Sequence, residues 1–360
     1  MENRAEKKTI RAGLVGFGMA GRVFHGPLLS SVEGIELAAV MERSSNHAAE
    51  RYPAIVTYRS LEEMLGDDSL DLFVVATPSG THFDVARRIL EAGRNVVVDK
   101  PMSVRSEQIA ELIRLAAEKK VLLAPFQNRR WDSDFLTVQK VLHEGLLGRL
   151  VFFQSRFDRW RPVAPIDRLW KEDPASGGVL LDLGTHLVDQ ALSLFGKPQS
   201  VWAEVLCERE WAQANDSFEI RLRYDGFTVA LGANSLSLPA APRFHLRGSK
   251  GNYWKTGLDP QEAALNLVTK IDDPNWGKEP QSAWGTLHID IGGGTVAQPV
   301  ETLRGDYRLY YAGIRDALLG KAPAPVKAVE AWRTARILEW AAESSEQRRE
   351  IRCEWTDEPR

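Results

Sequence analysis

The chain opens with short, nearly continuous apolar runs separated by amphipathic stretches. Ile10–Val15, Leu37–Met41, Leu70–Ala76, Asn95–Val98 and Val121–Ala124 are the apolar runs. Unbroken apolarity is what a strand needs when both faces of its sheet are covered. Between these runs, Thr81–Ala92 places Phe83, Ala86, Ile89 and Leu90 on one stripe and is stopped by Gly93. Ser106–Lys119 repeats the pattern with Ile109, Leu112, Ile113 and Ala116. Positions i, i+3, i+4 and i+7 define one helix face. The alternation of strand and helix predicts βαβ units and a doubly wound parallel sheet.

The texture changes after about residue 150. Val151–Phe157, Ser200–Cys207, Ser217–Tyr224, Phe227–Gly232 and Arg243–Arg247 read as strands. In Ser217–Tyr224 the residues Phe218, Ile220, Leu222 and Tyr224 alternate with Glu219, Arg221 and Arg223. Such alternation predicts an antiparallel sheet with one wetter face. Gly184–Leu194, Tyr307–Leu319 and Ala328–Ser345 carry helical patterns. The predicted fold class is therefore α/β. A Rossmann-type domain spans residues 1–128, and an α+β domain with a large, mostly antiparallel sheet spans 129–360. The last helices are expected to pack back on the first domain.

Composition narrows the function. A chain of 360 residues exceeds what one core usually supports, which favours two domains. A formal net charge of −3 supplies no positive field for nucleic acid or anionic lipid. Two cysteines, Cys207 and Cys353, have no metal-like spacing and make no disulfide framework, so a reducing cytoplasm is expected. Met1 to Thr9 lacks the apolar core of a signal peptide, and no run reaches the roughly 20 apolar residues of a membrane span. Eleven tryptophans are many, and several lie in polar surroundings. Flat faces for a sugar ring or a partner subunit are their functional reading, and core packing is the plain one.

Three clusters carry chemistry. The first, Gly16-Phe17-Gly18-Met19-Ala20-Gly21, follows a strand and opens a helix. That context turns a common glycine pattern into a dinucleotide site: a tight turn, a close backbone approach to pyrophosphate, and a helix N-terminus facing it. The residue that reads the adenosine ribose falls at Glu42. A carboxylate there grips ribose hydroxyls and repels a 2′-phosphate, favouring NAD, whereas Arg43 suits the 2′-phosphate of NADP. The second cluster is Asp99-Lys100-Pro101, which ends the strand Asn95–Val98. It places Lys100 where open parallel sheets bind ligands, and a cation there stabilises a developing alkoxide. The third is Gly177 to Asp189, in which a helix from about Leu180 would set Asp182 and His186 on one face as an acid/base pair. No metal site is expected, because no further His or Cys clusters nearby.

At these residues the chain resembles the glucose–fructose oxidoreductase / inositol dehydrogenase / rhizopine catabolism family, Gfo/Idh/MocA. The resemblance rests on Gly16–Gly21, on Thr77-Pro78-Ser79 with His82, on Asp99-Lys100-Pro101, and on Asp182-Leu183-Gly184-Thr185-His186. Longer stretches are similar to the scyllo-inositol dehydrogenase branch. They include Val23–Leu28, Asn128–Asp132, Asp189-Gln190 and Gly257–Glu262. The resemblance implies that Lys100 is catalytic, that His186 relays the hydroxyl proton, and that Asp182 binds the reacting hydroxyls. It implies an NAD(P)-dependent dehydrogenase acting on CH–OH groups of an inositol or sugar. It also implies a homo-oligomer, dimer or tetramer, formed through the open sheet. Asn128, Arg129, Asp158, Arg159, Arg161 and Trp170 are further candidates for polyol contacts, and Thr77, Pro78, Ser79 and His82 for the cofactor. Two positions depart from the branch. Glu42 stands where small polar residues are usual, and Gln127 where His is usual. The rival functions are internal redox with a retained cofactor, and an NAD(P)-sensing regulatory protein.

Overall fold

The computed structural model describes residues 9–163, 173, 177–267 and 271–359, and these residues form two sheets. The first holds β1 (Ile10–Val15), β2 (Ile35–Met41), β3 (Val56–Tyr58), β4 (Leu72–Val75), β5 (Asn95–Val98) and β6 (Leu123–Pro125). Its order is β3-β2-β1-β4-β5-β6, and every pairing is parallel. Strands β4 and β5 are almost completely buried, as their unbroken apolarity requires. The strand order reverses between β1 and β4. Crevices of open α/β sheets form at such a reversal, outside the carboxyl ends of the strands.

The second sheet is mixed. It holds β7 (Leu150–Arg156), β8 (Ser200–Leu206), β9 (Ser217–Tyr224), β10 (Phe227–Asn234), β11 (Phe244–Gly248), β12 (Gly251–Lys255), β13 (Gly285–Asp290), β14 (Thr295–Val300) and β15 (Ile351–Arg352). Their order is β14-β13-β12-β11-β7-β10-β9-β8-β15. Only β7 and β10 pair in parallel; the other pairings are antiparallel. The strand β12 and the β13–β14 hairpin were not anticipated from the sequence pattern. Residues of β14 are almost wholly exposed, so no buried face marks it in the chain.

One face of this sheet is apolar and covered. Phe153, Ile220, Leu222, Val229, Leu231, Leu246 and Tyr253 are buried there. They meet side chains of helices Ser133–His143, Thr185–Phe195 and Ala328–Gln347. The opposite face carries Phe152, Trp202, Arg221, His245, Arg247 and Trp254, which cross-strand pairing places on one side. Arg247 lies over Phe152, Arg221 over Trp202, and His245 against Trp254.

Two C-terminal helices join the halves. In Arg308–Leu318, Tyr310, Tyr311 and Ile314 are buried in the core beneath the first sheet, together with Tyr307. Ala328–Gln347 serves both cores. Its Ala331, Trp332 and Ala335 pack among first-sheet side chains, while Ile337, Leu338 and Ala341 pack under the second sheet. A single rigid helix anchored in both cores limits how far the sheets can move apart. No helix among the described residues is long and apolar enough to cross a membrane. Cys207 and Cys353 are both free thiols.

Candidate active site

The glycine-rich turn fits a dinucleotide. Gly16 adopts φ +99°, and a Cβ there would lie 3.0 Å from the Ala76 carbonyl oxygen. A Cβ on Gly21 would lie 2.5 Å from the Gly16 oxygen, so this glycine allows the helix to pack against the strand. A Cβ on Gly18 would meet nothing within 4 Å, because that position faces open space. Helix Gly21–His25, continued by Gly26–Ser31, follows this turn, and a helix N-terminus favours a phosphate. Phe17 is buried behind the turn, while Met19 and Ala20 line the cleft.

A cavity on the other side of the turn is lined by Gly16, Phe17, Gly18, Glu42, Arg43, Ser44, Ser45, Thr77 and Pro78, among others. Glu42 is tied down there. Ser45 Oγ donates to its Oε1 at 2.6 Å, and the Ala48 backbone N–H donates to Oε2 at 2.8 Å. Ala48 lies in the first turn of helix His47–Arg51, so the carboxylate also satisfies a helix N–H that has no intrahelical acceptor. This second task of Glu42 was not visible in the sequence.

Thr77, Pro78 and Ser79 line the cleft beside Lys100. His82 sits at its edge but is buried, with Nδ1 2.8 Å from the Pro101 oxygen and Nε2 2.7 Å from the Thr77 oxygen. The imidazole therefore staples the loop after β4 to the loop after β5. The structure gives it a positioning task, where the sequence suggested direct cofactor contact.

Lys100 meets the other half of the molecule. Its Nζ donates to Asp182 Oδ1 at 2.8 Å and to the Asp182 carbonyl at 2.9 Å. Its own N–H is held by Asp99 Oδ1 at 2.7 Å. Asp182 lies in a wide π-type turn, Leu180–Gly184, which runs into helix Thr185–Phe195. Such turns recur at functional sites, and this one replaces the regular helix expected from Leu180. Gly178 makes the entry feasible: a Cβ there would lie 2.3 Å from the Asn215 oxygen. Asn215 then accepts from Leu180 N–H at 2.9 Å and donates to the Gly177 oxygen at 3.0 Å. Sequence reasoning missed Asn215, which is remote in the chain.

His186 is buried and lines a smaller recess with Lys100, Asn128, Arg129, Arg159, Asp182 and Glu262. Burial, then the charges of Lys100 and Arg129, hold its imidazole well below the ordinary histidine range, with Asp182 opposing them. His186 is thus a neutral imidazole, a proton acceptor, near neutral pH. Its Nδ1 has no hydrogen-bonding partner among the described residues.

The recess has a built wall. Arg129 pairs with Glu262 and lies 3.4 Å from Asp132, and its backbone oxygen accepts from Gln190 Nε2 at 2.7 Å. Arg130 forms a two-pronged pair with Asp189, at 2.8 and 2.7 Å. Asp259 accepts from Ser133 N–H at 2.7 Å, and Gln261 donates to the Trp131 oxygen at 3.1 Å. The Asp189-Gln190 and Asp259–Glu262 stretches therefore hold the Asn128–Asp132 loop in place. Arg161 lines the larger cavity. Asp158 does not join it. Arg156 takes its carboxylate at 2.7 and 3.1 Å, and the side chain is buried, so this candidate for polyol contact is turned away from the cleft. Trp170 lies outside the described residues. Among those residues, no cluster of three or more His, Cys, Asp or Glu is arranged to hold a metal.

Comparison with known proteins agrees with this architecture. Residues 10–126 match the GFO/IDH/MocA oxidoreductase family, NAD-binding Rossmann fold, and residues 135–254 match the GFO/IDH/MocA C-terminal domain. The chain is 35% identical over 355 residues to a scyllo-inositol 2-dehydrogenase (NADP(+)), IolW of Bacillus subtilis, covering 98% of this chain and 99% of that protein. It is 39% identical over 340 residues to the oxidoreductase YdgJ of Escherichia coli, covering 94% and 97%. A solved structure of the oxidoreductase YvaA from Bacillus subtilis superposes with a TM-score of 0.91 at 35% identity, covering 96% of this chain and all of that one. With both halves matched and the relatives spanned almost end to end, the chain belongs to the GFO/IDH/MocA family of nicotinamide-dependent oxidoreductases.

Proposed function

We propose that the protein is a dehydrogenase that transfers hydride between a nicotinamide dinucleotide and a ring carbon of an inositol or sugar. The observation that carries this reading is the Lys100–Asp182 contact at 2.8 Å, in a cleft continuous with the glycine-rich turn. The cofactor, when bound, accepts or supplies the hydride. The chain's own groups handle the hydroxyl. Lys100 donates a hydrogen bond to the substrate oxygen and stabilises the charge that grows as the proton leaves. Asp182 fixes the ammonium and accepts from a neighbouring hydroxyl. Neutral His186 takes the hydroxyl proton.

Glu42 supports NAD as the preferred coenzyme. Each of its oxygens keeps a lone pair for a ribose hydroxyl, and its charge opposes a 2′-phosphate. The Bacillus relative is named for NADP(+), so a preference for NAD would set this chain apart from it. The open face of the second sheet supports a homo-oligomer. Trp202 and Trp254 are 36% and 42% exposed, Trp202 under Arg221 and Trp254 against His245, a composition that suits a subunit interface.

Reduced-cofactor absorbance tests the reaction directly. With a panel of inositols, aldoses and uronates, turnover is expected on at least one ring polyol, with kcat/KM favouring NAD by about tenfold, or ~1.4 kcal/mol. Glu42→Ser should move that ratio toward NADP and lower Tm slightly, because the helix His47–Arg51 loses an N–H acceptor. A wild-type ratio favouring NADP would overturn the coenzyme assignment. No turnover across the panel would overturn the function.

The pH profile checks His186. Its imidazole is held low, so the base form persists as pH falls, and the acid limb of kcat/KM for oxidation should have its midpoint below the ordinary value of about 6.5. His186→Asn should remove that limb. An acid limb above 6.5, or the same limb in the variant, assigns the base elsewhere.

Light scattering after gel filtration tests the interface. The chain mass is 40.3 kDa, and the wild type should elute at twice that or more. Trp254→Glu should reduce the mass. A monomeric wild type would contradict the interface.

A further inference from the structure

The cleft is lined by five cations, and most of them are already neutralised. Lys100 pairs with Asp182, Arg129 with Glu262, and Arg209 with Asp216 at 2.5 Å. Arg161 lines the same wall. Arg159 is different. Among the described residues no carboxylate pairs with its guanidinium. Asp182 and Glu262 lie within electrostatic range, but Lys100 and Arg129 hold them.

Its position is fixed and central. The Arg159 N–H donates to the Asn234 oxygen at 2.9 Å, and its carbonyl accepts from Ser237 N–H at 3.0 Å. The neighbouring Trp160 bridges to Leu236 in antiparallel fashion. The side chain thus leaves a pinned backbone. It lines both the larger cavity, with Lys100 and the glycine turn, and the recess that holds His186. It stands between the two. Burial, then the like charge of Arg161, push this guanidinium down to about 10, with Asp182 and Glu262 opposing them.

We propose that Arg159 recognises an oxyanion on the substrate, so that the polyol this enzyme prefers is an acidic one, a sugar acid or a sugar phosphate. The proposal rests on the hydride-transfer reading above and names its substrate class. A planar guanidinium fork matches a carboxylate or phosphate edge with two parallel hydrogen bonds. A neutral inositol would leave that charge desolvated and unpaired, which is costly. The glycine-rich turn after Gly16 offers a separate place for the cofactor's phosphates.

The test compares kcat/KM for glucose, galactose and myo-inositol with that for glucuronate, galacturonate and glucose 6-phosphate. The uronates and the phosphate distinguish the two sources of oxyanion. One anionic class should exceed its neutral parent by about 30-fold, the scale of a charge-assisted hydrogen bond. Arg159→Gln should bring that ratio near one, mainly through KM, and Arg159→Lys should keep part of it. Affinity for the reduced cofactor, read by fluorescence titration without substrate, should change less than about twofold. Neutral polyols turned over as well as the anions would overturn the proposal and leave the dehydrogenase reading standing. No turnover of either class overturns both. An unchanged ratio in Arg159→Gln with weakened cofactor binding would reassign Arg159 to the cofactor phosphates. If Arg159→Gln does not fold, the wild-type ratio decides alone.

Discussion

A lysine at the end of one sheet and an aspartate on a helix of the other meet at 2.8 Å, and the proposed active site depends on that contact. This ion pair is a weak source of stability. Its side chains are 19% and 27% exposed, and partly solvated pairs of this kind contribute about 0–1 kcal/mol. Its value is positional. It orients the Lys100 ammonium by two acceptors, the carboxylate and the backbone carbonyl of Asp182, and leaves further donor capacity for a substrate oxygen.

The stability that keeps the pair together comes from apolar packing. Trp332 is buried in the first half and Ile337 in the second, five positions apart on one helix. Separating the sheets would expose both sets, and full exposure of side chains this size costs about 1.5–3 kcal/mol each. The loops that carry Lys100 are then set by polar contacts that cannot slide. His82 clamps Thr77 to Pro101, and Asp99 holds the Lys100 N–H. Rigid apolar packing and directed polar clamps thus divide the work: one fixes the distance between halves, the other the direction of the reacting groups.

The parts legible in the sequence are those whose signal is local. β1, β5, β9 and helix Ser106–Lys119 appear with the bounds that periodicity indicated, because burial on both faces or on one stripe writes itself into consecutive residues. Lys100 and the glycine turn were found because a strand end and a turn are local events. What escaped is tertiary. Arg129 and Glu262 lie 133 positions apart, and nothing in either neighbourhood announces the pair. Asn215 orders the turn before Asp182 from a distant loop. The π-type turn at Leu180–Gly184 has a helical pattern, and one extra residue per turn is invisible to it. Asp158 looked like a polyol ligand by composition, yet Arg156, two residues away, takes its carboxylate inward.

The proposed mechanism needs Lys100 and Asp182 to act as one unit across the cleft. A double-mutant cycle on kcat/KM measures that directly, with Lys100→Met, Asp182→Asn and the double variant. Groups that act as a unit lose most of their effect with the first removal. The double variant should be about as impaired as the worse single variant. Losses that simply multiply would show two independent residues and contradict it.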